Sequence, residues 1–121
     1  MSELLGVGLD LCEISRMEKQ LTNTALLRRI LTETEQAYLT ERGKMASASL
    51  AAMWAAKEAA VKALGVGLAI PMTDVEILHR PGGQPYYVLH GEAQRLADGG
   101  SMLLSITHEG DMAAAVCVWS R

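Results

Sequence analysis

The chain has 121 residues, half of them apolar, and a formal charge of −3 at pH 7. This length predicts one domain over residues 1–121, and because Phe is absent the core must come from Leu, Val, Ile, Met and Ala. The negative charge argues against a nucleic-acid-binding protein, which usually carries a basic stripe. No apolar run approaches the length that a membrane span needs.

The two cysteines, Cys12 and Cys117, indicate the redox compartment. Such sparse cysteines are not typical of a disulfide framework, and the chain shows no secretory leader. We therefore expect reduced, buried thiols and a cytoplasmic protein.

An apolar first segment, Met1 to Leu11, predicts a strand. Its glycines Gly6 and Gly8 are only a weak sign of a nucleotide-binding loop, because the third glycine of that fingerprint is missing. Asp10 lies at the end of the apolar run. A carboxylate there either caps a helix beginning near Glu13 or serves a functional site, and the residues alone leave both open.

Three short helices are expected next. The pattern is helical from Glu13 to about Gln20 and again from Ala25 to Ile30. Thr32 and Glu35 form the pattern of a capping box, which opens a further helix to about Arg42.

The longest helical signal runs from about Ser47 to Leu64, with Ser47 or Ser49 as the cap and Gly65 as the stop. One face is apolar and the opposite face is nearly all alanine, which predicts a buried helix. Its charges have two interpretations. In the first, Glu58 and Lys62 form an exposed i,i+4 pair, and Lys57 lays its stem on the apolar stripe with its amine in water. In the second, Glu58 offers a carboxylate to a metal and Lys62 an ammonium to a phosphate.

Strands dominate the rest of the chain. Two hairpins are expected, with a short helix between them, and His79 and His90 are assigned to the surface. The fold class is therefore α+β: a small antiparallel sheet packed on one long helix, with shorter flanking helices. The predicted ranges are Asp74–Leu78, Tyr86–Leu89, Gly91–Ala97, Met102–His108 and Met112–Trp119.

Three motifs together resemble one family. WAAKEAAVKALG (Trp54–Gly65), GVGLD (Gly6–Asp10) and SITH (Ser105–His108) are similar to the motifs of the phosphopantetheinyl transferases, in particular the small holo-acyl-carrier-protein synthases. The resemblance extends along almost the whole chain. It departs at Met53, where many relatives carry an arginine, and at Trp54, where phenylalanine is usual.

The resemblance implies a reaction: transfer of phosphopantetheine from coenzyme A to a serine of apo acyl carrier protein, with magnesium as cofactor and adenosine bisphosphate as product. It implies that Asp10 and Glu58 hold the metal and that Lys62 is the third catalytic residue. Either Glu58 or a metal-bound water would be the base. Alternatives are a non-catalytic module that binds coenzyme A or carrier, and a different magnesium-dependent phosphoryl enzyme.

The same resemblance implies the binding partners. Arg16 would contact the carrier protein, and Lys44 would supply the charge that is missing at Met53 unless a neighbouring subunit does so. We expect a homotrimer with active sites between subunits. The implied coenzyme contacts are Lys44, Lys62, Gly65, Ser105, Thr107 and His108.

Overall fold

Two antiparallel sheets lie against one long helix in a computed structural model that describes residues 3–121. Met1 and Ser2, which the sequence assigns to the first strand, lie outside the described residues. The predicted α+β class is confirmed. The elements in chain order are β1 (Leu4–Glu13), α1 (Ile14–Glu18), α2 (Thr24–Ile30), α3 (Glu33–Thr40), α4 (Ala46–Leu64), β2 (Val75–His79), β3 (Pro85–Leu89), α5 (Gly91–Ala97), β4 (Ser101–Glu109) and β5 (Met112–Ser120).

The larger sheet has the order β1-β5-β4, and β2 pairs with β3 in the smaller one. Strand β1 runs on to Glu13, two residues beyond the predicted end. Asp10 therefore lies inside the strand, opposite Ala115 of β5. The helix-capping interpretation of Asp10 is wrong, because α1 begins at Ile14 and its N-cap is Glu13.

Helix α4 packs directly on β1, and two glycines allow the close approach. A Cβ atom on Gly8 would overlap the carbonyl oxygen of Ala59, and one on Gly6 would overlap that of Ala63. Both alanines are buried, as the alanine face predicted. The glycines thus permit close packing of strand on helix, and they do not form a nucleotide-binding loop.

The ends of α4 agree only partly with the sequence. Gly65 adopts a left-handed conformation with φ of 73° directly after the last turn, so the predicted stop is confirmed. The predicted serine caps are wrong. The helix already begins at Ala46, so Ser47 and Ser49 lie within its first turn, and Met45 is the N-cap without a side-chain hydrogen bond.

The capping box of α3 is confirmed, with Thr32 and Glu35 each bonding the backbone of the other. Glu35 is also fully buried, and its carboxylate accepts a hydrogen bond from Lys57. Lys57 is therefore not a surface residue with its amine in water. Its Nζ atom is enclosed by Glu35 and by the carbonyl oxygens of Met72 and Val75.

Both cysteines are buried free thiols, as expected. Cys12 and Cys117 face the helix side of the larger sheet, in the same alternation as Gly8. Within residues 3–121, no helix is both long enough and apolar enough to cross a bilayer.

Candidate functional site

Asp10 and Lys62 meet where β1 crosses the last turns of α4. The Nζ atom of Lys62 lies 3.1 Å from Oδ1 of Asp10 and donates a second hydrogen bond, of 3.0 Å, to the carbonyl oxygen of Leu9. The close packing at Gly8 brings strand and helix near enough for these contacts. Lys62 therefore pairs with a carboxylate on another element, and the predicted i,i+4 pair with Glu58 is wrong.

Glu58 lies one turn before Lys62 on the same helix and is half-buried. Burial raises the pKa of its carboxyl group, the nearby charge of Asp10 raises it further, and the Lys62 ammonium only partly offsets both. Glu58 forms no ion pair with any described residue. The result is a cluster of two carboxylates and one ammonium, in which Glu58 holds its proton more readily than an ordinary glutamate does. None of the cavities described below is lined by these three residues.

The donor set of this cluster is compatible with magnesium. Among residues 3–121, no group of three or more His, Cys, Asp or Glu residues is arranged to hold a metal ion. Magnesium does not require such a cage, because it usually keeps several waters and binds one or two carboxylates together with substrate phosphates. Asp10 and Glu58, offered from a strand and a helix, match that mode of binding.

Arg16 lies on α1, which directly follows β1 in the chain. Its guanidinium is 3.7 Å from the sulfur of Cys12, and it borders a cavity of about 200 Å³. The walls of that cavity are mostly apolar and include Trp54 of α4. The other lining residues are Met17, Gln20, Leu26 and Ile30.

The SITH residues divide between the two faces of the larger sheet. Ser105 and Thr107 of β4 lie opposite Val116 and Ala114 of β5, on the face directed away from α4. His108 lies on the other face and lines a separate cavity near the start of α4. The structure therefore does not bring these predicted coenzyme contacts together within one chain.

The two remaining predicted contacts also lie apart. Gly65 directly follows the last turn of α4, close in sequence to Lys62. Lys44 is exposed in a 3₁₀ turn, Gly43–Met45, just before α4. It does not line the cavity that contains His108, although Met53 does.

Sequence reasoning missed two features near these sites. The buried pair of Lys57 and Glu35 could have been predicted. The sequence already indicated that α4 is apolar on nearly all sides, and such a helix offers its lysines little exposed surface. Arg42 was placed only as a helix end, yet it lines the cavity beside His79. No sequence signal indicates that cavity, because its walls come from α3, α4, β4 and the β2–β3 hairpin.

Comparison with known proteins decides the family. The model of the 4'-phosphopantetheinyl transferase superfamily matches residues 6–117. The chain belongs to this superfamily. All three motifs identified in the sequence lie inside the matched span, and so do Asp10, Glu58 and Lys62.

Two relatives show how much of the chain this superfamily likeness covers. A holo-[acyl-carrier-protein] synthase of Treponema denticola is 43% identical over 119 residues, covering 95% of this chain and 97% of its own. One of Myxococcus xanthus is 44% identical over 118 residues, with 93% and 92% covered. The likeness to these two holo-[acyl-carrier-protein] synthases therefore extends over nearly the full length of all three chains.

A solved structure extends the likeness to three dimensions. The Helicobacter pylori holo-[acyl-carrier-protein] synthase in complex with coenzyme A superposes with a TM-score of 0.81 at 31% identity. The match covers 93% of this chain and 98% of the other. The fold described above is thus that of a phosphopantetheinyl transferase.

Proposed function

We propose that this chain transfers 4'-phosphopantetheine from coenzyme A to a serine hydroxyl of apo acyl carrier protein. The reaction would depend on magnesium and release adenosine 3',5'-bisphosphate. The observation that carries the proposal is the meeting of Asp10, Glu58 and Lys62 at the contact of β1 with α4. The names of the relatives and the coenzyme A complex of the Helicobacter pylori enzyme support the choice of substrates.

The chemistry requires little covalent participation from the protein. The serine oxygen attacks the phosphorus attached to pantetheine, the bond from that phosphorus to the bridging oxygen breaks, and adenosine bisphosphate leaves with that oxygen. Such a transfer is accelerated mainly by positioning and by neutralising the negative charge that spreads in the transition state. Magnesium held by Asp10 and Glu58 would neutralise part of that charge.

We assign Glu58 as the base that accepts the proton of the serine hydroxyl. Burial raises the pKa of Glu58, and the charge of Asp10 raises it further; a higher pKa makes this carboxylate a stronger proton acceptor. A water in the same site is the other candidate for this step, as the sequence already suggested.

Lys62 is assigned to the phosphate oxygens. Its ammonium is held in the cluster by Asp10 and Leu9 through exposed hydrogen bonds. Exposed pairs of this kind contribute little stability, so exchanging Asp10 for a phosphate oxygen costs little. In the transition state the ammonium would then lie against the growing negative charge.

The carrier protein is assigned to the surface around Arg16. An apolar cavity beside a guanidinium can take an apolar side chain while the charge attracts an acidic helix. The cavity wall formed by Trp54 belongs to α4, the helix that also carries Glu58. A carrier docked there would lie near the catalytic cluster.

A homotrimer is supported by the open face of the larger sheet. Cross-strand register aligns apolar residues in rows on the side away from α4, and several are largely exposed in the single chain. An apolar patch of this kind on a small protein marks an interaction surface. Its exposed members are Leu4, Val7, Leu9, Leu11, Leu103 and Met112.

Covering this face with further copies would place Ser105 and Thr107 at the subunit boundary, since they lie on the same face. This supports active sites shared between subunits, with the SITH residues of one copy near the cluster of the next. Light scattering should report a mass of three chains, and Leu9→Glu should reduce it.

We also propose that residues 1–121 form one domain that works in the cytoplasm. The core cluster draws residues from both sheets and from all of the helices α1 to α5, which supports one folding unit. The two buried free thiols support a reducing compartment.

The test of the function is a mass measurement. The protein is incubated with magnesium chloride, coenzyme A and an apo acyl carrier protein, and the carrier is then weighed. We expect the carrier mass to rise by one phosphopantetheine group and adenosine 3',5'-bisphosphate to accumulate. An unchanged carrier, with coenzyme A still bound, would identify a binding module and overturn the proposed transfer.

A further inference from the structure

Helix α1 is too short to hold its position by itself. It has five residues, Ile14–Glu18, whereas isolated helices shorter than about 12–15 residues are marginal in water. The side chain of its N-cap, Glu13, forms no capping hydrogen bond within the described chain. The first backbone N–H groups of a helix need acceptors from outside the helix. The position of α1 must therefore depend on contacts with other elements.

Asp111, which is 96 residues after Ser15 in the chain, supplies those acceptors. Its Oδ1 atom accepts a hydrogen bond of 2.9 Å from the backbone nitrogen of Ser15, and its Oδ2 atom accepts one of 2.5 Å from the Ser15 hydroxyl. Its carbonyl oxygen accepts a third, of 2.7 Å, from the backbone nitrogen of Ile14. A carboxylate also carries the sign of charge that this end of a helix favours. A residue from near the other end of the sequence therefore caps α1.

The turn that carries Asp111 has a fixed place beside α1. Strands β4 and β5 are joined by two residues, Gly110 and Asp111, between the paired residues Glu109 and Met112. Gly110 has a φ of 58°, a left-handed conformation that tight two-residue hairpin turns use. Met112 also pairs with Glu13, the last residue of β1. The register of the larger sheet therefore sets the distance between Asp111 and the first turn of α1.

Helix α1 carries two of the residues that face the proposed carrier. Arg16 and Met17 line the cavity of about 200 Å³ that also includes Trp54. Met17 is buried and anchors one side of α1 in the core, whereas Arg16 is exposed. A rotation or fraying of α1 would move the Arg16 guanidinium and one wall of the cavity together. The cap from Asp111 is placed to keep both in one arrangement.

We propose that Asp111 is a positioning residue for carrier recognition, which holds α1, and through it Arg16, in the orientation that binds the acyl carrier protein. This rests on the proposed function, because it takes the surface around Arg16 as the carrier site. When only a fraction of the molecules holds the binding conformation, the apparent affinity is reduced by that fraction. Loss of the cap lowers the fraction, so the contribution of Asp111 is to carrier affinity and not to the transfer step.

The effect of Asp111→Ala has the opposite sign from a simple charge effect. Removing an acidic charge beside a surface that attracts an acidic partner would by itself improve binding. Losing the cap weakens binding, and the usual cost of a lost cap corresponds to roughly a threefold to thirtyfold change in an equilibrium constant. We expect the KM of Asp111→Ala for the carrier to rise by about that factor. Its kcat and its KM for coenzyme A should stay within about twofold of the parent values.

Two further variants separate the cap from the charge. Glu13→Ala is the matched control, because it removes an equal charge beside the same helix end where the side chain makes no capping bond, and it should leave the carrier KM unchanged or lower it. Asp111→Asn keeps an oxygen that can accept from the Ser15 nitrogen, so it should recover most of the affinity. A carrier KM of Asp111→Ala at or below the parent value, an equal rise for both substrates, or an asparagine variant as weak as the alanine variant would each overturn the assignment.

Two measurements without turnover separate this inference from the proposed function. If the parent transfers nothing to the carrier, the proposed function fails, yet calorimetric titration with the apo carrier protein still measures binding. Weaker binding by Asp111→Ala supports the assignment, whereas equal binding by variant and parent, or binding by neither, overturns it. Amide hydrogen exchange should be faster in residues 14–18 of Asp111→Ala and unchanged in α4. Exchange in residues 14–18 at the parental rate would also overturn the assignment.

Discussion

The Nζ atom of Lys57 lies 2.9 Å from Oε1 of Glu35, and neither side chain is exposed to solvent. The same ammonium donates to the carbonyl oxygens of Met72 and Val75. Glu35 in turn accepts from the backbone nitrogen of Ile77. This buried pair ties α4 to α3 and to the start of β2. Because successive residues of a helix point about 100° apart, fixing Lys57 inward helps to direct Glu58 toward the cluster.

Breaking this pair should destabilise the fold strongly. Burial lowers the pKa of Lys57, while Glu35 favours its charged form. Lys57→Met would leave Glu35 buried without its cation, and such losses cost about 3–5 kcal/mol. We expect urea unfolding to show a decrease of that size. Combining Lys57→Met with Glu35→Gln should recover part of it, whereas a decrease below about 1 kcal/mol would contradict the structural role.

The loss of folding stability at acidic pH should depend on Glu76. Burial opposes the charge of this carboxylate, but hydrogen bonds from Thr32 and His90, with the charges of His90 and Lys57, outweigh it and lower its pKa. A lowered folded-state pKa gives stability that is present above the unfolded value, about 4.3, and is lost as pH falls through the folded value.

Glu76→Gln should therefore be less stable than the parent by about 1 kcal/mol at pH 7. The difference should shrink as the pH is lowered below about 4. Thermal melts of both proteins from pH 7 to pH 3 test this. A difference that is constant across the range would show that the charge of Glu76 does not contribute.

Carrier recognition should depend on Arg16. We expect Arg16→Glu to raise the KM for the carrier at low salt much more than the KM for coenzyme A, because a rim charge acts mainly on encounter. Added salt should narrow the gap between variant and parent. Arg80→Glu is the control, because Arg80 lies in the turn between β2 and β3 and does not line the cavity beside Arg16. If the carrier kinetics of Arg16→Glu and the parent are the same, Arg16 contacts only solvent and α1 does not bind the carrier.

The sequence was sufficient for the elements with strong local signals. The capping box at Thr32 and Glu35 and the stop at Gly65 are formed by neighbouring residues, so they could be identified without the tertiary structure. The predicted serine caps are wrong because the 3₁₀ turn Gly43–Met45 leads directly into α4, which already begins at Ala46. Ser49 lies inside the helix and accepts a hydrogen bond from Arg42 instead. That contact depends on the path of the chain between α3 and α4.

The candidate site was predictable in part for the same reason. Asp10, Glu58 and Lys62 belong to motifs, and the structure does bring β1 to α4. The partner of Lys62 was not predictable, because the i,i+4 rule describes only pairs within one helix and Asp10 lies on β1. The prediction that the amine of Lys57 lies in water was wrong. It treated Lys57 as a surface lysine, whereas its burial depends on pairing with Glu35, which is 22 residues away in the chain.

Lys62 should be dispensable for folding and important for turnover. Its contacts to Asp10 and Leu9 are exposed, so Lys62→Ala should cost no more than about 0.5 kcal/mol of stability. Losing a cation that faces transition-state charge should lower kcat by roughly a hundredfold or more.

Lys62→Arg provides the matched control for this prediction. It keeps the charge but replaces a compact ammonium with a planar fork, so we expect only partial recovery. Steady-state kinetics and thermal melts of both variants are the measurements. Near-normal kcat in Lys62→Ala would restrict the supported catalytic residues to the two carboxylates.

The most direct test of the central claim is the mass of the carrier after single-turnover reactions with Asp10→Asn and Glu58→Gln. Both changes keep the size of the side chain and remove its charge, and circular dichroism confirms that each variant is folded. With saturating magnesium and coenzyme A, we expect the parent to convert the carrier fully and each variant to leave it almost unmodified. Full conversion by either variant at the parental rate would contradict the claim that these carboxylates together support the transfer.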